Sequence, residues 1–451
     1  MKRFVCCLLP LLLTLGCKSG TPAPLSPDAA QPAFGPSPVA SSSATSPSTS
    51  ATVPVNTASP ATASPAEASA LAASSNAFAA DLYARLRKQP GNVAVSPGSI
   101  TLALAMTWAG ARGDTAKEMA RVFHFSGAQT EVVESAARQL AAWKDPSRTT
   151  YTLGVANRLF GEKSYTFDPA FLKLSSDSFK APLEPLDFRG AHEAGRQRIN
   201  GWVAGETRDR IKDLLPTRSI DPQTRLVLVN AVYFLGDWQH PFVKARTRPL
   251  PFFATPAKSS DVPMMSQEMR FAYGTHAGVK VLEMPYVGNE LAMTLVLPDD
   301  KGGLDAVEQS LTADRIGSWI AAMRPQRVRV TLPVFEVNPS ASLSLKDTLK
   351  EMGMPLAFQN GRADFSGIAN PPNPEDRLYI GDVFHKAFVR VDEKGTEAAA
   401  ATAVVMPRAG GKPEPEKTVE FRADHPFLFF LRDVRSGMIL FMGRVSDPAK
   451  K

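Results

Sequence analysis

Apolar positions in this chain repeat first at helical spacing and later at strand spacing. Phe78, Leu82 and Leu86 recur every four residues, which predicts a helix over residues 74–89 with one apolar face. Ser96-Pro97 reads as an N-cap followed by proline in the first turn. The helix it opens, from about Gly98, carries Ile100, Leu104 and Trp108 on a common side. Residues 291–297 (LAMTLVL) are a continuous apolar run stopped by Pro298, the pattern of a buried strand. Residues 328–337 (VRVTLPVFEV) alternate as a half-buried strand, and residues 343–352 read as an amphipathic helix. Helical spacing dominates the first third and strand spacing the rest, so the pattern predicts an α+β domain.

Residues 385–406 (HKAFVRVDEKGTEAAAATAVVM) hold the most informative pattern. The stretch begins as a strand, with Phe388, Arg390 and Asp392 on one face and Val389 and Val391 on the other. Every second residue from Thr396 then reads Thr396, Ala398, Ala400, Thr402, Val404, Met406, and none is charged. In a strand these six side chains share a face, and that face can enter a core. The one charge, Glu397, falls on the opposite face with Ala399 and Ala401. The segment has the composition of a loop able to become a buried strand.

The ends change the picture further. Lys2 and Arg3 precede an apolar run from Phe4 to Leu15, too short for a stable span and suited to a signal peptide, here residues 1–16. The run ends in Gly16-Cys17, which resembles a bacterial lipoprotein cleavage box with Cys17 as the acylated N-terminus. Thr14 stands where leucine is commonest, and a plain secretory signal cut nearby is the alternative. Acyl chains on Cys17 would give a membrane anchor. Lys18 follows the cysteine in place of the aspartate that favours inner-membrane retention in some bacteria, so the expected location is the cell envelope, at the outer membrane or cell surface.

The only other cysteines, Cys6 and Cys7, leave with the signal, so neither a disulfide nor a thiol nucleophile is expected in the mature protein. Residues 17–70 are dominated by Pro, Ser, Thr and Ala and cannot bury enough surface to fold, which makes them a tether. Residues 71–451 form the folded domain. The formal net charge is +7, but Arg and Lys are scattered among acids, the pattern of a mixed solvated surface. The six histidines show no metal-ligand spacing. No nucleophile elbow, phosphate loop or zinc-protease motif occurs, and no aromatic–basic pattern supports nucleic-acid binding. The chain is expected to be neither an enzyme nor a cofactor binder, and to act as a monomer.

The 385–406 stretch closely resembles the reactive-centre hinge of the serpin family. The resemblance extends through residues 92–100 (NVAVSPGSI), 199–207 (INGWVAGET) with 211–215 (IKDLL), 226–238 (LVLVNAVYFLGDW), 424–431 (DHPFLFFL) and 439–445 (ILFMGRV), in family order and covering about residues 74–448. It implies the serpin fold, with three β-sheets, eight or nine α-helices and an exposed reactive-centre loop. It also implies a serine-type endopeptidase inhibitor that traps its target when the cut hinge (Glu393, Gly395, Thr396, Glu397, Ala398, Ala399, Ala400, Ala401) inserts into the main sheet.

Counting sixteen positions from Glu393, the family spacing puts Ala409 in the protease pocket and the cut at Ala409–Gly410, which suits an elastase-like target. A register one residue earlier cuts after Arg408 and suits a trypsin-like one. Ser96, Ser99, Asn200 and His385 match the shutter beneath the opening sheet, where hydroxyls and an amide can hydrogen-bond an imidazole. Trp238 matches the aromatic at the breach where insertion begins. Pro285 stands where a lysine often partners the hinge glutamate, leaving the partner of Glu393 open. The alternative function is a non-inhibitory serpin acting as an envelope-anchored binding or structural protein.

Overall fold

The computed structural model describes residues 70–145, 147–396 and 417–450, which hold nine α-helices and three β-sheets. The first helix, Ala70–Leu86, starts four residues before its expected bound and buries Phe78, Leu82 and Leu86. The second, Pro97–Ala109, begins where the cap signal places it: the Ser96 hydroxyl accepts from the Ser99 N–H. Its far side is buried as well as the Ile100–Leu104–Trp108 side, because other elements surround it. Gly98 permits that enclosure; a Cβ there would come 2.9 Å from the Ile439 carbonyl oxygen.

Leu291–Pro298 is buried throughout and belongs to a nine-stranded sheet. The closing strands Phe427–Asp433 and Ile439–Val445 pair antiparallel in the same sheet. Two expected elements divide differently. The 328–337 strand is two strands: Arg324–Pro333 stays in the nine-stranded sheet, and Phe335–Val337 crosses to a six-stranded one. Pro333 has no N–H to continue a ladder, and the Val334 N–H turns to the Pro263 carbonyl at 2.9 Å. The 343–352 helix is likewise shorter. Leu343–Ser344 pairs with Phe384–His385 as the third, two-stranded sheet, and the helix is Lys346–Met352.

The six-stranded sheet positions the site. Its order is Phe335–Val337, Ala387–Val391, Gly395–Thr396, Leu226–Asp237, Tyr151–Glu162, Leu183–Leu186. Along the 226–237 strand, Val232 and Phe234 face the main core, whereas Val229 and Ala231 face a smaller cluster with Phe160, Ile199, Val203 and Ile211. The helix Phe188–Glu206 and the segment after it cover that second face.

A buried ion pair ties the first helix to the last strand. The Arg444 guanidinium donates to both Glu308 carboxylate oxygens at 3.1 and 3.3 Å, and the Tyr83 hydroxyl donates to the same carboxylate at 2.6 Å. Arg444 also donates to the carbonyls of Arg87, Gln89 and Gly91. Every nitrogen of the guanidinium thus has an acceptor, the condition under which a buried guanidinium is tolerated.

Candidate functional site

The site is built by a tight turn after Val391. The N–H groups of Lys394 and Gly395 donate to the Asp392 carboxylate at 2.9 and 3.4 Å, and the Asp392 N–H donates to the Gly395 carbonyl at 2.9 Å. Side-chain bonding of this kind is why aspartate favours turns. The turn sends Gly395–Thr396 back beside the strand it left. Thr396 pairs antiparallel with Val391 on one side and with Gly236 on the other, and Gly395 pairs with Asp237. The first two residues of the inserting segment are therefore already strand residues of the sheet. Gly395 is required by the close approach: a Cβ there would sit 2.0 Å from the Gly236 carbonyl oxygen.

Below this wedge the two flanking strands meet directly. Ala387 pairs with Val232 and Phe388 with Tyr233, in parallel. That short seam closes the sheet below Thr396.

Around the wedge, Trp238 is 2% exposed and stacks on Tyr286, with ring centroids 4.5 Å apart and planes 17° apart. Its indole N–H donates to the Asp392 carbonyl at 3.1 Å, and its backbone N–H donates to the Lys394 carbonyl at 2.7 Å. The Tyr286 hydroxyl and the Thr396 hydroxyl are 2.6 Å apart. Burial pushes the Tyr286 hydroxyl far above its ordinary range, with the bond to Thr396 pulling weakly the other way, so the contact is between neutral groups. Glu393 accepts from the Thr247 hydroxyl at 2.7 Å, and its carbonyl accepts from the Phe242 N–H at 2.7 Å. A neutral hydroxyl thus fills the role left open by Pro285.

Of the four shutter residues, the structure brings three together. The Ser96 N–H donates to His385 Nε2 at 3.0 Å, the Ser96 hydroxyl donates to the Leu440 carbonyl, and the Ser99 hydroxyl donates to the Ser96 carbonyl at 3.1 Å. Asn200 is elsewhere engaged. Its amide donates to the Leu215 carbonyl at 2.9 Å and accepts from the Leu215 N–H at 2.8 Å. It staples the helix Phe188–Glu206 to the segment that follows, and both ends of its amide are used there. The asparagine that lines a small cavity with His385 is Asn230, together with Ile100, Leu104, Leu228 and Val383. Asn230 had a signal in the sequence, a lone amide inside the apolar run 226–235. Tyr286 and Thr247 had none. Glu397 to Ala401, Arg408, Ala409, Gly410 and Cys17 lie outside the described residues.

Because Nε2 of His385 accepts a hydrogen bond, the neutral ring carries its proton on Nδ1. Burial pushes the imidazole pKa down from 6.5 to about 4. The unfolded chain therefore binds a proton between those values that the folded chain refuses. Stability is complete above about pH 6.5 and falls as pH drops towards 4, by about 3 kcal/mol from this group. Thermal melts across that window should show the slope in the natural protein and a shallower one in His385→Gln. Equal slopes would remove His385 as the cause.

The wedge and the seam beneath it lie in the six-stranded sheet, and the chain resumes at Val419–Arg422, which pairs parallel with Arg324–Pro333 in the nine-stranded one. Comparison with known proteins gives the class its name. Residues 73–448 match the family model described as serpin (serine protease inhibitor). Human leukocyte elastase inhibitor is 40% identical over 383 residues, covering 82% of this chain and 97% of that relative; the Bos taurus protein of the same name is 41% identical with the same coverage. Uncleaved ovalbumin superposes with a TM-score of 0.74 at 29% identity, covering 84% of this chain and all of that one. Serpin48 of the insect Tenebrio molitor gives 0.71 at 32% identity, covering 83% and 97%. The chain belongs to the serpin family.

Proposed function

We propose that this protein inhibits serine proteases of the elastase type by trapping them as an acyl-enzyme. The observation that carries this reading is the pre-inserted wedge: Thr396 is 2% exposed and already paired on both sides, directly above a seam of two residue pairs between the flanking strands. The uncharged alternate residues that follow it in sequence support the same reading, as do the leukocyte elastase inhibitors among its relatives. A protease that attacks Ala409–Gly410 becomes esterified to the Ala409 carbonyl. The freed segment then advances between the 387–391 and 226–237 strands, gaining ladder hydrogen bonds and apolar burial. About fourteen residues at roughly 3.4 Å each carry the bound protease some 45–50 Å. Insertion competes with hydrolysis, and the winner decides between inhibitor and substrate.

Mixing the protein with pancreatic elastase and with trypsin, followed by a denaturing gel, tests the reading. A stable high-mass adduct with elastase is the expected result, with the released peptide starting at Gly410. An adduct with trypsin alone and a peptide starting at Ala409 would move the cut to Arg408. Clean cleavage with both proteases still active would replace the inhibitor by a non-inhibitory binding protein.

The amino-terminal signals support a second part of the proposal: removal of residues 1–16, acylation of Cys17, and tethering through residues 17–70 to the outer membrane or cell surface as a bacterial lipoprotein. Cys17→Ser should move the protein from the membrane fraction to the soluble one. An unchanged distribution would discard the anchor.

A further inference from the structure

Asparagine followed directly by glycine occurs twice in the chain, at Asn200–Gly201 and at Asn360–Gly361. The pair has a chemistry of its own. The glycine nitrogen can attack the side-chain carbonyl carbon of the asparagine, because glycine has no Cβ to block the approach. The two copies sit in opposite surroundings. Asn200 is 8% exposed and lies inside the helix Phe188–Glu206. Both ends of its amide are held by Leu215, at 2.9 and 2.8 Å, so the side chain cannot turn to its own backbone without giving up two buried hydrogen bonds. Gly201 follows it in the helix, where its nitrogen belongs to the intrahelical ladder.

Asn360 and Gly361 are both exposed, at the tip of the turn that follows the short helical turn Leu356–Phe358. The ends of this turn are fixed. The Leu356 N–H donates to the Glu118 carboxylate at 2.9 Å, and the Asp364 N–H donates to the Thr115 hydroxyl at 3.0 Å. The tip is free. The N–H groups of Arg362 and Ala363 close the turn by donating to the Gln359 carbonyl, at 3.2 and 3.0 Å, and they bypass the pair between them. Neither the Gly361 N–H nor the Asn360 amide has a hydrogen-bond partner among the described residues. Gly361 has φ +73°, the left-handed value that a type II turn asks of its third residue. A Cβ placed on it would meet nothing within 4 Å, so no neighbour crowds the pair. The attack at Asn360 breaks no hydrogen bond and displaces no side chain.

We infer that Asn360–Gly361 is a self-modification site, at which the folded protein converts with water into aspartyl and isoaspartyl forms while Asn200–Gly201 is spared. The Gly361 nitrogen gives its proton to water as its bond to Asn360 Cγ forms. The bond from Cγ to the side-chain nitrogen then breaks, and ammonia leaves with a proton. The product is a succinimide ring. Water opens the ring at either carbonyl. Breaking the new bond to Cγ leaves aspartate; breaking the original peptide bond leaves isoaspartate, with the main chain routed through the side chain. The balance is one amide and one water for one carboxylic acid and one ammonia, with no oxidant or reductant. The new carboxyl is ionised at neutral pH, so each conversion lowers the formal net charge of +7 by one. The wedge takes no part, and the inference does not rest on the inhibitor reading.

The test ages the full chain for several days in neutral buffer at physiological temperature, once folded and once unfolded in urea. The readouts are peptide mass mapping, isoelectric focusing, and methyl labelling by an isoaspartyl methyltransferase with labelled S-adenosylmethionine. In the folded chain the peptide holding Asn360 should gain about one dalton and take the methyl label, and a more acidic band should appear. The Asn200 peptide should convert at least roughly tenfold more slowly, because its reaction waits for local unfolding. In urea the two peptides should convert at similar rates. Asn360→Gln keeps an amide but lengthens the side chain beyond easy ring closure, and it should remove the label from that peptide and with it the acidic band. The inference is overturned if folded Asn360 converts no faster than folded Asn200, or if folding protects it as strongly as it protects Asn200. It is equally overturned if the acidic band and the label persist unchanged in Asn360→Gln.

Discussion

Thr396→Arg should turn the inhibitor into a substrate. Thr396 is the leading residue of the wedge, buried between Val391 and Gly236 with its hydroxyl against Tyr286. A guanidinium at this buried position must give up its water and costs several kcal/mol to bury. The wedge residue is driven out of the sheet, and insertion has to start by desolvating a charge. Hydrolysis of the acyl-enzyme faces no such barrier. Even 3 kcal/mol against insertion shifts the partition by roughly a hundredfold, each 1.36 kcal/mol being tenfold in rate. The measurement is the number of inhibitor molecules consumed per elastase molecule silenced, read beside the adduct band. Near-stoichiometric trapping by Thr396→Arg would show that the wedge does not lead insertion. Thr396→Ser, which keeps the hydroxyl, should trap almost as the natural protein does.

Arg444→Met should cost about 3–5 kcal/mol, the range for breaking a buried ion pair from one side. The substitution strands the Glu308 carboxylate, which is 4% exposed, and removes the donor to three backbone carbonyls. The melting temperature should fall by about 5 °C for a domain of this size. Glu308→Leu added to Arg444→Met should restore part of that loss, because no unpaired charge then remains inside. A double variant less stable than the single one would show that the carbonyl bonds, rather than the charge, carry the effect.

What could be read from the sequence was whatever depends on neighbours along the chain. The Ser96-Pro97 cap, the apolar strand ending at Pro298 and the uncharged alternation after Thr396 are local patterns. The partners at the wedge are not. Tyr286 and Thr247 lie 110 and 146 residues from the groups they bind, and no periodicity marks them. The crossing between sheets at Val334 was hidden because apolar residues run on through it: Val328, Val330 and Leu332 are buried before it and Phe335 and Val337 after it, and the change of phase between the two sets marks no chain break by itself. Asn200 was placed in the shutter by resemblance, and its real bonds are to Leu215, fifteen residues on. Asn230, which does line the His385 cavity, was visible as the one amide in an apolar strand, yet only the sheet order brings it beside the imidazole.

Among the described residues Glu393 makes no ion pair; it is held by the Thr247 hydroxyl. Dissolved electrolyte weakens attraction between opposite charges and has little hold on a bond to a neutral donor. The grip on the root of the wedge should therefore be the same in fresh water as in brine, and a change of salinity alone should not release it.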